Sequence, residues 1–203
     1  MQLWYASYGS NLSRDRFLCY LRGGRPEGAA RTYPGARDRT LPVADTPFLL
    51  PGSVFFGWHS PTWGGGIAFY DADATDQVAL GRAYLINESQ FADVAAQEMH
   101  REPGSDLDLS TVLDERQHAV GTGRYEALHL VGELEGHPVL TFTSPEPTEV
   151  PASAPSEAYL AMIARGLRET HEHTDEELVD YLLGCPGVTL EWSRDDIADL
   201  VAA

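Results

Sequence analysis

The chain has 203 residues, 43% of them hydrophobic and 22% charged, with 14 Lys+Arg against 31 Asp+Glu for a formal net charge of -17. This length and balance fit one globular domain with a sizeable core, and no apolar run approaches the ~20 residues that span a bilayer. The acidic excess argues against nucleic acid or an anionic membrane as partner. It leaves room for a small anionic ligand held by local backbone N–H groups.

The N-terminal stretch MQLWYASYGS has neither the basic start nor the separate apolar segment of a secretion signal, so a cytoplasmic location is expected. Leu3, Tyr5 and Ser7 alternate with Trp4, Ala6 and Tyr8, which predicts a strand ending at Gly9. Ser13 is then a fitting N-cap for a helix to about Arg22, stopped by Gly23-Gly24. Residues 23–53, rich in Pro, Gly and Arg, are expected to be irregular with one or two short strands. Strands are predicted at 54–59, 66–71 and 79–87, and a helix from about Ser89 to His100. The charged, aperiodic stretch 101–121 reads as an insertion or lid. A hairpin is expected over 124–134 and 138–144, then a Pro-rich connector at 145–155 and a helical final third. Ser156 and Thr174 are N-cap candidates, the latter in a capping box with Glu177, and Ser193 with Asp196 forms a weaker one. Strands first and helices later predict an α+β fold, an antiparallel sheet or barrel with helices outside. Cys19 and Cys185 form no CxxC pattern and are expected to be reduced, with Cys19 as core filler.

Three features carry candidate chemistry. Phe91, Val94 and Ala95 make a helical stripe whose i+7 member is Glu98. A carboxylate at a core position would have a raised pKa and suit proton transfer; alternatively the stripe ends at Ala95 and Glu98 is solvated. Tyr8-Gly9-Ser10-Asn11-Leu12, between strand and helix, can present backbone N–H groups to a carboxylate, or it is a plain turn. Gly64-Gly65-Gly66 after Trp63 marks close approach of a ligand or another backbone, or a flexible hairpin.

Tyr5-Ala6-Ser7-Tyr8-Gly9-Ser10-Asn11-Leu12 resembles the N-terminal signature of the γ-glutamylcyclotransferases. Thr62-Trp63 with Gly64-Gly65-Gly66-Ile67-Ala68 is similar to that family's second Gly-rich segment, and Gly81-Arg82-Ala83-Tyr84 followed by Gln97-Glu98 resembles its strand and catalytic helix. Gly123-Arg124-Tyr125 and Ala154-Pro155-Ser156-Glu157-Ala158-Tyr159 resemble later segments. The likeness is close over 3–17 and 61–98 and looser over 122–183. Met99 stands where family members usually have Gly, and 100–121 is longer than expected.

The resemblance implies one domain over the whole chain, a small mixed β-barrel with surrounding helices, and no metal or organic cofactor. It implies that Glu98 is the catalytic acid/base, and that Tyr8, Gly9, Ser10, Asn11, Leu12, Gly65, Tyr125 and Tyr159 bind substrate. Tyr125 and Tyr159 would polarise the carbonyl site or serve as packing tyrosines. The implied reaction is acyl transfer with lactam formation: a γ-glutamyl compound closes on itself, releasing 5-oxoproline and a free amine or amino acid. Alternatives are removal of a γ-glutamyl group from a biosynthetic intermediate, and a non-catalytic binding module. His171-Glu172-His173 reads as a solvated charged face rather than a metal site. Asp106, Asp108, Asp114 and Glu115 lack the spacing of a calcium loop, and no nucleophile-elbow motif supports a Ser-His-Asp triad.

Overall fold

The computed structural model describes residues 1–202. Its core is a six-stranded mixed sheet in the order β2-β5-β1-β8-β7-β6. The central strand β1 (Gln2–Ser7) runs antiparallel to β5 (Val78–Asn87) and parallel to β8 (His137–Thr143). Every β1 residue from Leu3 to Ser7 is buried, so both strand faces are covered and the alternation in its sequence does not mark a wet side. β7 (Ala127–Leu134) pairs with β8, and its other edge takes the short β6 (Gln117–Ala119). On the far side β2 (Ala44–Pro51) pairs with β5 along its whole length, a longer strand than residues 23–53 were expected to give. Its position at the sheet edge accommodates Pro47 and Pro51, whose missing N–H groups would interrupt a central strand.

β3 (Ser53–Ser60) and β4 (Gly65–Asp71) form a separate two-stranded ribbon, so the sheet is not closed into the expected β-barrel. The reason lies along the free edge of β4. There, backbone groups that a neighbouring strand would have paired are met one by one. Gly66 N–H donates to the Ala154 carbonyl at 2.6 Å, and Ala68 N–H donates to Tyr159 Oη at 3.1 Å. Tyr125 Oη donates to the Ala68 carbonyl at 2.8 Å. Thr143 Oγ1 accepts from Tyr70 N–H at 2.9 Å and donates to the Tyr70 carbonyl at 2.8 Å. Side-chain hydroxyls thus replace a backbone ladder, which satisfies the buried groups without strand pairing.

Helix α2 (Glu88–Glu98) begins in a capping box of Asn87 and Gln90 and packs on β1 and β5. It stops two residues short of the expected end, and His100 takes a left-handed conformation at φ 57°. Helix α1 (Arg14–Arg22) packs against α2. Residues 100–121 hold α3 (Ser110–Glu115) and supply β6 to the main sheet. The start of this segment is tied down by the buried Asp93, which accepts from Gly104 N–H and from Arg37. The C-terminal helices are α4 (Glu157–Thr170), α5 (Asp175–Gly184) and α6 (Arg194–Ala202). Ser156, Thr174 with Glu177, and Ser193 with Asp196 make the expected cap contacts. Helix α4 lies directly on the turn at 10–12, and Gly166 permits it: a Cβ there would come 2.3 Å from the main chain of Leu12 and Ser13.

Three local expectations differ. His171 is buried, outside any helix, with Nε2 donating to the Gly81 carbonyl at 2.9 Å, so it anchors the chain to β5 rather than facing solvent. Cys19 is only half-buried, and both cysteines are free. β7 starts later than expected because Glu126 folds back to accept from Gly123 N–H at 2.8 Å. Among the described residues no helix is long and apolar enough to cross a membrane.

Replacing Thr143 by Val keeps the side-chain shape and removes the hydroxyl that serves both Tyr70 backbone groups. Each buried group left unpaired costs about 1–3 kcal/mol, so Thr143→Val should lower the midpoint of denaturant unfolding clearly. An unchanged midpoint would show that hydroxyls do not hold β4 to the sheet.

Candidate functional site

β1 delivers residues 8–12 to the C-terminal end of α2. After Gly9 the chain makes a tight turn in which Leu12 N–H donates to the Gly9 carbonyl at 2.9 Å and Ser13 N–H to the Ser10 carbonyl at 3.2 Å. The turn is held from below: Tyr84 Oη donates to the Asn11 carbonyl at 2.8 Å and Arg82 Nη1 to the Leu12 carbonyl at 3.1 Å. Arg82 is itself fixed by Asp45 and Glu169. This leaves the Asn11 side chain pointing across the gap. Its Nδ2 donates to Glu98 Oε1 at 3.0 Å and to Tyr5 Oη at 3.1 Å.

Glu98 is half-buried, and the deep position in the last turn of α2 belongs to its neighbour Gln97. Gln97 Nε2 donates to the carbonyls of Tyr20 and Asp93, both at 3.0 Å. Glu98 is left at a cleft whose walls are largely aromatic. Tyr8, Gly9, Ser10, Asn11, Glu98, Tyr125 and Tyr159 line this one cleft. Leu12 and Gly65 do not: Leu12 is wholly buried beneath α4, and Gly65 lies against the 154–156 backbone, where a Cβ would come 2.5 Å from Ser156 N. Gly65 and Gly66 therefore admit another stretch of backbone.

The tyrosines differ in what their protons can do. Tyr8 Oη donates to the Phe142 carbonyl at 2.8 Å and Tyr125 Oη to the Ala68 carbonyl at 2.8 Å. Both protons are engaged with the fold, which gives Tyr125 a bracing role and takes it out of position to polarise a ligand carbonyl. Tyr159 Oη instead accepts from Ala68 N–H at 3.1 Å, which leaves its own proton for the cleft. Burial pushes its pKa up to about 12, with Glu98 adding to the shift, so it is a neutral donor at ordinary pH. Burial, reinforced by the Glu98 carboxylate, raises Tyr5 as well.

Several lining residues carried no signal in the pattern analysis. Trp58 and His100 both line the cleft in left-handed conformations, at φ 53° and 57°. Such strain in bulky residues gathers at functional sites. Trp58 lies where the β3–β4 register shifts, between Gly57 and Ser60, and its ring carries the Arg124 guanidinium at 3.5 Å from the centroid. Arg16 of α1 is 2% exposed and also lines the cleft. It belongs to the buried stripe of α1 with Phe17, Tyr20 and Leu21, so a charge stands at a core position there, the kind of misfit that pointed to Glu98 on α2. Among the described residues no group of three or more His, Cys, Asp or Glu is arranged to hold a metal ion.

No family model matches the sequence. Histone deacetylase 5 of Arabidopsis thaliana is 32% identical over 201 residues, a match that covers 90% of this chain and 30% of that protein. The chain therefore spans less than a third of the length of the curated relative it matches. Among solved structures, a gamma-glutamyl cyclotransferase and an uncharacterized protein from Homo sapiens each align over 100% of this chain and 99% of their own, with a TM-score of 0.55 and 18% identity. YkqA from Bacillus subtilis aligns over 91% of this chain and 55% of its own, with a TM-score of 0.50 and 17% identity. The chain has the γ-glutamylcyclotransferase-like fold.

A double-mutant cycle on Asn11→Ala and Glu98→Ala, read by unfolding free energy, should give a favourable coupling of about 1–2 kcal/mol, the value of a partly exposed hydrogen bond to a charged group. Additive losses would mean that the contact does not join loop and helix in solution.

Proposed function

We propose that the chain is a γ-glutamylcyclotransferase. The observation that carries this reading is the Glu98 carboxylate held by Asn11 Nδ2 at 3.0 Å, at the edge of a cleft built on the 8–12 loop. The likeness in fold to a gamma-glutamyl cyclotransferase supports it.

In this reading Glu98 takes a proton from the α-ammonium of a γ-glutamyl compound. The freed amine attacks the γ-carbonyl and forms the C–N bond of a five-membered lactam. The tetrahedral intermediate collapses with cleavage of the original amide C–N bond, Glu98 returns its proton to the departing nitrogen, and the second proton shed by the ring nitrogen follows the same route, so that the amine leaves as an ammonium ion. The products are 5-oxoproline and a free amine or amino acid. Nucleophile and electrophile belong to one molecule, so the protein's task is to hold a folded-back conformer; tethering of this kind reaches effective molarities of ~10⁵ M or more. A single carboxylate serves first as base and then as acid. The uncommitted proton of Tyr159 is the side-chain donor placed to meet oxyanion charge on the γ-carbonyl. Asn11 donates to Glu98 and so fixes the carboxylate's orientation without consuming its second oxygen.

Wild type and Glu98→Gln should be incubated with γ-glutamyl amino acids and γ-glutamyl amines, and 5-oxoproline followed by mass spectrometry. Wild type should release it. The variant, which keeps the shape and loses the acid/base, should be slower by about 10²- to 10⁴-fold. A variant turning over at near wild-type rate would remove Glu98 from its role. Release of glutamate in place of 5-oxoproline would replace cyclisation with hydrolysis.

A further inference from the structure

Arg16 is buried to 2% exposure, yet among the described residues it pairs with no carboxylate, while Arg37, Arg82 and Arg101 all do. Its Nη2 donates to Tyr20 Oη at 2.9 Å and Tyr33 Oη at 3.0 Å. Its guanidinium carbon lies 4.3 Å and 4.5 Å from the centroids of the same two rings. Its Nε and Nη1 have no hydrogen-bond partner among the described residues. Burying a cation and leaving several of its N–H groups unpaired is costly, and in a chain with 31 acidic residues a carboxylate partner was readily available. The unpaired groups belong to a residue that lines the Glu98 cleft. Burial disfavours the charge, but Tyr20, Tyr33 and Glu98 outweigh it, so the group stays cationic.

We propose that Arg16 is the carboxylate anchor of the cleft, holding the α-carboxylate of a γ-glutamyl unit whose α-ammonium faces Glu98. This deepens the reading above and rests on it for the identity of the ligand. Tyr20 Oη accepts from Arg16, and burial together with the Glu98 charge raises its pKa, so it stays a neutral hydroxyl beside the cation. A cation and an anion lining one cleft match the two charges that an α-amino acid carries on a single carbon. The backbone of the 8–12 loop is the other candidate for that carboxylate. There the Leu12 N–H is taken up by the turn itself. The aromatic wall also keeps water away from the guanidinium, which strengthens a charge-assisted bond.

Binding is best read by calorimetry in the Glu98→Gln background, where ligand is not turned over. Three probes separate the sources of a carboxylate: γ-glutamylalanine, γ-glutamylbutylamide, which has no carboxylate on its leaving half, and 4-aminobutyrylalanine, which has no α-carboxylate. Adding Arg16→Gln should weaken the first two alike, by about 10- to 100-fold, and leave the already weak third unaffected. Arg16→Lys, which keeps the charge, should recover part of the loss. Circular dichroism and the unfolding midpoint report whether each variant is folded.

Weakening of γ-glutamylalanine alone would move Arg16 to the leaving amino acid and overturn the assignment. Equal weakening of all three probes, or of none, would make the residue structural. The two readings can fail separately. If wild type yields no 5-oxoproline yet γ-glutamyl binding still depends on Arg16, the anchor stands and the reaction falls. If 5-oxoproline forms and Arg16→Gln leaves binding and KM unchanged, the anchor falls and the reaction stands. Absence of γ-glutamylalanine binding to the Glu98→Gln protein would overturn both.

Discussion

The Asn11–Glu98 hydrogen bond joins segments 87 residues apart, and the rest of the site follows from making it possible. A loop on its own would leave Asn11 free to rotate. Here the Asn11 and Leu12 carbonyls are tied to Tyr84 and Arg82 of β5, and α4 presses on the same turn through the bare Cα of Gly166. The helix end is fixed equally well. Gln97 locks it from inside through two backbone carbonyls, so Glu98 is delivered to the cleft with little freedom left in its backbone. Both partners are thus oriented by the fold before any ligand arrives, which is the condition under which one carboxylate does useful proton transfer.

The cleft wall depends on a second economy. The hydroxyls of Tyr125, Tyr159 and Thr143 occupy the free edge of β4 where another strand would otherwise lie. A backbone ladder there would have closed the sheet. Side chains in its place put two aromatic rings into the wall, one with its proton fixed and one with its proton unused. The same bonds that satisfy the β4 backbone therefore decide which tyrosine can act on a ligand.

Much of this was legible in the sequence, for identifiable reasons. β1, β4 and β5, the end of α1 and the caps of α4 and α5 have short-range causes: alternation, glycine stops and Ser/Thr caps. The loop at 8–12 and Glu98 stood out because turn chemistry and a carboxylate on an apolar stripe are both local signals. What escaped depends on partners far along the chain. Periodicity placed a polar residue at the end of α2 but not the exchange of depth between Gln97 and Glu98, which follows from the Tyr20 and Asp93 carbonyls. Closure of the sheet turned on hydroxyls supplied from residues 125, 143 and 159, and no single segment carries that information. The close approach at Gly65 came from backbone, which a run of glycines does not distinguish from a ligand. Arg16 was detectable by the argument used for Glu98, since it too interrupts a buried stripe.

In a chain carrying a formal charge of -17, a buried cation with no acidic partner among the described residues lines the same cleft as the Glu98 carboxylate. That pairing of opposite charges in an aromatic cleft is the core of the functional account. A crystal structure of the Glu98→Gln protein soaked with γ-glutamylalanine tests it most directly. The account predicts that the ligand lies in the cleft lined by residues 8–11, with its α-nitrogen next to residue 98 and its γ-carbonyl towards Tyr159. Ligand bound elsewhere, or in this cleft with its α-nitrogen turned away from residue 98, would contradict it.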